Sequence, residues 1–272
     1  MTDTTARTDL GPVTRHEDIP RARRIVVKVG SSSVSGGNTG QIARLVDALA
    51  LAHARGTEVV LVSSGAIATG FPFLGIEGRP DDLATQQAAA ATGQNVLMFR
   101  YQKELDRHAV VAAQILLTAG DLQNPTHRVN AQRAIDRLLA LRVLPIVNEN
   151  DTVATHEIRF GDNDRLAALV ARLLGADALV LLSDVESLYT RPPEQPGAEP
   201  ITHVPFGDEL AGVTFGSIGA AGVGTGGAGT KVAAARLAAE AGTSVLVTAT
   251  ALVERALAGE QVGTWFEAAP RG

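Results

Sequence analysis

The chain has 272 residues, 45% of them apolar, and a formal net charge of −5, which is enough material for one large domain or two small ones with a real core. It has no cysteine, so disulfides, thiolate metal sites and a cysteine nucleophile are excluded. The charge gives no basic footprint for nucleic acid, and no apolar run approaches the length needed to span a membrane.

Residues 1–23 are polar and lack the apolar stretch of a signal peptide; they are expected to be a disordered tail on a soluble, cytoplasmic protein, with a single domain over 24–272. The first apolar run, 25–29, carries Lys28 and leads into Gly30-Ser31-Ser32. A helix over 41–55 follows, with Ile42, Leu45, Val46 and Leu49 on one face. The second run, 58–62, ends in Ser63-Ser64-Gly65-Ala66. An Ala- and Gln-rich helix covers 82–108, with Gly93 as its expected kink or break, and a third apolar run covers 110–117. A helix over 130–141 and a strand over 143–148 lead to Asn148-Glu149-Asn150-Asp151. A hairpin is expected at 153–160, before Gly161-Asp162-Asn163-Asp164 opens a helix over 165–174. The fifth strand, 178–182, runs into Ser183-Asp184, and 191–200, with four prolines, is a surface loop. Thr225-Gly226-Gly227-Ala228-Gly229-Thr230-Lys231 precedes a helix over 232–241 and a last strand over 244–247. The six apolar runs are continuous rather than alternating, as parallel strands covered on both faces require. Strand–helix alternation from end to end predicts an α/β fold: a three-layer αβα sandwich around a mainly parallel sheet.

Ligands in such sheets bind beyond the carboxyl ends of the strands. The segments there are small, polar or glycine-bearing, as close backbone approach requires. Only three of the 24 basic residues are lysine. Lysine is a compact point charge and arginine a wide planar fork, so Lys28 and Lys231, each beside glycines, suit a cleft that grips phosphate. Lys103 reads as an ordinary solvated helix residue. The glycine segment is neither a dinucleotide fingerprint nor a Walker loop. Asp162, Asn163 and Asp164 have an ordinary reading as helix caps, which the positive end of a helix favours. With Asn148, Asn150 and Asp151 they also read as an amino-acid pocket, or as a divalent-metal site. The histidines are scattered and read as surface or loop residues.

Taken together these segments resemble the glutamate 5-kinases of the amino-acid-kinase family. The matching pieces are Val27-Lys28-Val29-Gly30-Ser31-Ser32, Val62-Ser63-Ser64-Gly65-Ala66-Ile67-Ala68, Gln114-Ile115-Leu116-Leu117-Thr118, Pro145-Ile146-Val147-Asn148-Glu149-Asn150-Asp151, Gly161-Asp162-Asn163-Asp164, Leu182-Ser183-Asp184 and Gly224-Thr225-Gly226-Gly227 ending in Thr230-Lys231. The resemblance implies transfer of the γ-phosphoryl of ATP, with Mg2+ held mainly on its phosphates, to the side-chain carboxylate of L-glutamate. It implies that Lys28 and Lys231 act on the transferring group, with Asp164 orienting both. Ser64, Asp151 and Asn163 would hold glutamate, with Asn148 and Asp162 near the acceptor. Ser183, Asp184 and the segment from Thr225 through Gly226, Gly227, Ala228, Gly229 and Thr230 to Lys231 would line the nucleotide site. It further implies feedback inhibition by proline, a glutamate-semialdehyde dehydrogenase as partner, and a homo-oligomer. Many members carry a C-terminal PUA domain, which this sequence lacks. Ala228 and Ser187 depart from the family's residues at those positions. The alternatives are a sister kinase for acetylglutamate, aspartate or uridylate, and a non-catalytic sensor on the same scaffold.

Overall fold

A computed structural model describes residues 12–35, 39–78, 80, 82–153, 163–213 and 227–270. In chain order the elements are β1 (Arg24–Lys28), α1 (Ser31–Val34), α2 (Thr39–Ala54), β2 (Glu58–Val62), α3 (Ala66–Gly70), α4 (Leu83–Leu105), β3 (Ala112–Leu117), α5 (Ala119–Gln123), α6 (Pro125–Ala140), β4 (Leu144–Glu149), α7 (Asn163–Leu174), β5 (Ala178–Ser183), β6 (Leu188–Tyr189), β7 (Pro200–Ile201), β8 (His203–Val204), α8 (Ala228–Glu240), β9 (Ser244–Ala249), α9 (Val253–Leu257) and β10 (Thr264–Phe266).

One eight-stranded sheet has the order β3-β4-β2-β1-β5-β9-β10-β8. Its strands from β3 to β9 pair in parallel, and β10 adds antiparallel to β9. All six strands expected from the apolar runs form, and the sandwich is as the alternation predicted. Along a strand, successive side chains face opposite sides. Ile25 and Val27 therefore join the layer that includes Leu45, Leu49 and Leu97, while Val26 joins the layer that includes Leu166, Val170 and Ala235. Lys28, two residues beyond Val26, emerges on this second side, where α7 and α8 pack.

The structure corrects three expectations. First, the segment before β1 is not a loose tail over its second half. His16–Arg21 forms a 3-10 turn in which Ile19 is fully buried, and the Ser244 hydroxyl donates to the Val13 carbonyl at 2.7 Å. The apolar anchors Val13 and Ile19 are isolated among polar neighbours, so average polarity hides them; residues 1–11 lie outside the described residues.

Second, Gly93 neither kinks nor breaks α4, which is continuous through it. A Cβ there would lie 1.9 Å from the Ala66 carbonyl oxygen. The glycine lets α4 close against α3, and the reciprocal contact is Gly70 against Ala89. Third, α8 begins at Ala228, so the end of the glycine segment is helix rather than loop. The expected hairpin lies outside the described residues after Val153. The strand β10 was not foreseen, because three residues are too few to show a period.

Candidate active site

The carboxyl ends of β1, β2, β4 and β5 and the first turns of α7 and α8 converge on one group of buried polar side chains. Asp164, in the first turn of α7, is 1% exposed. Lys28 Nζ lies 2.7 Å from its Oδ1 and Lys231 Nζ lies 3.1 Å from its Oδ2. The Thr230 hydroxyl also donates to Oδ2, at 3.0 Å. Burial alone would raise the Asp164 pKa, but the two ammoniums outweigh it and hold the carboxyl down to about 2. Burial, and then repulsion from Lys28, pull Lys231 below the ordinary lysine value against the attraction of Asp164. Two ammoniums share one bonded carboxylate, so this buried cluster carries a net positive charge that calls for an anion.

The cluster faces backbone that can approach a ligand closely. A Cβ at Gly30 would sit 3.8 Å from Ser32 Oγ and 3.9 Å from Lys28 Nζ, in the space before the ammonium. The Ser32 hydroxyl donates to Asp184 at 2.7 Å. Ser33 and Thr250 pair at 2.8 Å, and Thr250 donates to the Ser183 carbonyl at 3.3 Å. These bonds tie the turn after β1 to the end of β5.

Asn163 precedes Asp164 on α7 and points elsewhere, since consecutive helical residues diverge by about 100°. Its Nδ2 donates to the Ser63 carbonyl at 3.0 Å, to Ser64 Oγ at 2.8 Å and to Asn148 Oδ1 at 3.2 Å. Asn148 Nδ2 donates to Gln94 Oε1 on α4 at 2.7 Å. The Ser63 hydroxyl pairs with Tyr101 at 2.8 Å. Gly65 makes the turn after Ser64 with φ of +87°, and a Cβ there would come within 3.0 Å of Val34. Asn163 Oδ1 is buried and has no hydrogen-bond partner among the described residues. Asp151, beyond the end of β4, is 9% exposed, and burial pushes its carboxyl up to about 6.

The structure therefore brings Lys28, Asp164, Thr230 and Lys231 together as one group, and Ser64, Asn148 and Asn163 as another. Asp151, Ser183, Asp184, Gly227, Ala228 and Gly229 lie on the segments around them. Asp162, Thr225 and Gly226 lie outside the described residues. The capping reading does not describe Asn163 or Asp164, whose side chains bond to other elements. Among the described residues no three His, Asp or Glu side chains gather as a metal site, and no helix is long and apolar enough to cross a membrane. Gln94 and Tyr101 were missed by sequence reasoning. A Gly-Gln step in an Ala-rich helix was the available signal for the first, and nothing marked the second.

Comparisons with known proteins point the same way. The family model described as the amino acid kinase family matches residues 23–249. The glutamate 5-kinase of Clavibacter michiganensis subsp. michiganensis is 76% identical over 93% of this chain and 97% of its own length. That of Leifsonia xyli subsp. xyli is 71% identical over 91% and 92%. That of Thermobifida fusca is 56% identical over 92% of this chain but 65% of its own, longer length. The solved structure of Giardia carbamate kinase shares the fold, with a TM-score of 0.64 at 17% identity over 90% of this chain and 98% of that one.

Proposed function

The chain belongs to the amino acid kinase family, and we propose that its two polar groups work as the halves of one site that phosphorylates the side-chain carboxylate of L-glutamate with ATP. Glutamate 5-kinase relatives at 71–76% identity over nearly their whole length support the substrate and the reaction. The observation that carries the mechanism is the buried Lys28–Asp164–Lys231 cluster with its surplus positive charge.

The glutamate side chain has a pKa of about 4.3, so the nucleophile is ionised at neutral pH and needs no general base. The obstacle is an anion approaching an anion, and catalysis becomes positioning and charge neutralisation. Lys28 and Lys231 each keep N–H donors beyond the one aimed at Asp164 and can hold the transferring phosphoryl from two sides. Asp164 fixes both ammoniums in place before substrate arrives. Mg2+ would be held mainly by the ATP phosphates, where it would neutralise charge.

Asn163 offers an acceptor oxygen, and Asp151 offers a carboxylate, to the substrate's ammonium. Ser64 offers a hydroxyl to a carboxylate. The acyl phosphate product is hydrolytically unstable, which fits a dehydrogenase that consumes it promptly. Proline is small enough to compete for the same pocket as a feedback inhibitor. A homo-oligomer completes the proposal.

Purified protein given ATP, L-glutamate and hydroxylamine should form the γ-glutamyl hydroxamate. Asn163→Leu should raise KM for glutamate at least about 100-fold, because a site built to bond a polar group discriminates strongly for it, while KM for ATP stays within about threefold. No hydroxamate from the intact protein would reject the reaction. An unchanged glutamate KM in the variant would reject the pocket.

A further inference from the structure

The polarity of the amide pocket is set by two backbone groups that cannot be read the other way round. The Ser63 carbonyl can only accept, so the Asn163 atom 3.0 Å from it is the nitrogen. The Glu149 N–H can only donate, so the Asn148 atom 2.9 Å from it is the oxygen. Asn148 Oδ1 then also receives Asn163 Nδ2, and Asn148 Nδ2 is left pointing at Gln94, whose Oε1 accepts it at 2.7 Å. Every member of this chain is at least nine-tenths buried: Gln94 is 7% exposed, Asn148 1%, Asn163 4% and Ser64 7%. At its far end, Asn163 Oδ1 is a buried acceptor with no partner among the described residues.

We infer that Gln94 is a positioning residue that, together with these two backbone groups, holds this amide chain in one polarity, so that the site presents the Asn163 oxygen and selects acceptors bearing an ammonium. The inference rests on the reading that Asn163 meets the glutamate ammonium. Without the Gln94 oxygen, Asn148 Nδ2 is a buried donor with nowhere to go. It can recover a bond only by rotating, which sets nitrogen against the nitrogen of Asn163 and pushes that amide out of place. Gln94 reaches the chain because Gly93 lets α4 lie against the Ala66 carbonyl. It touches no reacting atom, so its loss acts on acceptor recognition rather than on phosphoryl transfer.

The test compares L-glutamate with glutarate, which has both carboxylates and no ammonium, using ATP and hydroxylamine trapping on the intact chain. In wild type, kcat/KM should favour glutamate strongly. Gln94→Met, similar in shape but unable to accept as an amide oxygen does, should cut the glutamate-to-glutarate ratio at least about tenfold. The loss should lie in glutamate KM, with kcat and KM for ATP within about threefold. Gln94→Glu, which keeps an oxygen at the position, should hold the ratio within about threefold of wild type. A merely structural role would lower both substrates together. A full ratio in Gln94→Met, or a ratio that collapses equally in Gln94→Glu, overturns the inference. If Gln94→Met does not fold, Gln94→Glu decides alone: a kept ratio supports the inference and a collapsed one overturns it. A wild-type enzyme that uses glutarate as well as glutamate defeats the ammonium reading itself, and does so before any variant is made.

Discussion

The two ends of the site are built from different chemistry, although they meet at the single peptide bond between Asn163 and Asp164. The end proposed to meet phosphate uses full charges: two ammoniums around one carboxylate, nearly dry. The end proposed to meet the acceptor uses neutral amides and hydroxyls in a directed chain. Charge acts over distance and tolerates small displacements, which suits a phosphoryl group whose charge is spread over several oxygens. Amides act only at contact and in one orientation, which suits discrimination between similar small acids. On the proposed reading, power and selectivity are separated into two materials that meet on one helix.

Asp164→Asn should break the comparison most severely. It leaves two buried ammoniums without a counter-charge, and removal of one member of a buried ion cluster costs about 3–5 kcal/mol. A urea or thermal melt should show that loss, and added phosphate should recover part of it by supplying an anion. A melt equal to wild type would mean that the cluster is not held by charge.

Lys231→Met and Lys28→Met come next. Each should cost about 3–4 kcal/mol of transition-state stabilisation, the scale for one positioned donor at a developing charge. ADP release should show this in kcat, with glutamate KM within about threefold. A variant whose loss fell on glutamate KM would merge the two ends.

Asp151 gives a smaller, pH-dependent effect. Burial raises its pKa to about 6, and only the ionised form attracts an ammonium. Glutamate KM should therefore rise as pH falls below about 6, by up to about tenfold per unit in a one-proton step. In Asp151→Asn the glutamate KM should start higher and lose this dependence. The smallest effect belongs to Tyr101→Phe, which removes one buried hydroxyl from Ser63. About 1 kcal/mol of stability should go, with the choice between glutamate and glutarate unchanged.

The residues proposed for the phosphate end are conspicuous in the sequence. Lys28 and Lys231 stand out in an arginine-dominated chain, and both sit where a strand or glycine segment meets a helix. Those proposed for the acceptor end, Ser64, Asn148 and Asn163, were marked by their places at the ends of strands or the start of a helix. Gln94 was not, because α4 has four glutamines and an asparagine and a weak apolar stripe. Which of them faces inward depends on how closely the helix packs. Gly93 was read as a weakness of its helix for the same reason. A glycine that breaks a helix and one that admits a neighbour look alike until the neighbour is known. The short strand β10 and the docked segment around Ile19 rest on a few apolar residues, and only tertiary contact reveals those.

The rarity of lysine also bears on how the molecule can be handled. Lys28 and Lys231 are 4% and 6% exposed, whereas Lys103 stands in solvent near the end of α4. Amine-directed reagents should thus find one side chain to react with in the folded protein. A fluorophore or surface linker would be seated at Lys103 without recourse to mutation. Delayed labelling at the other two would then report opening of the site, and a bound nucleotide should slow it.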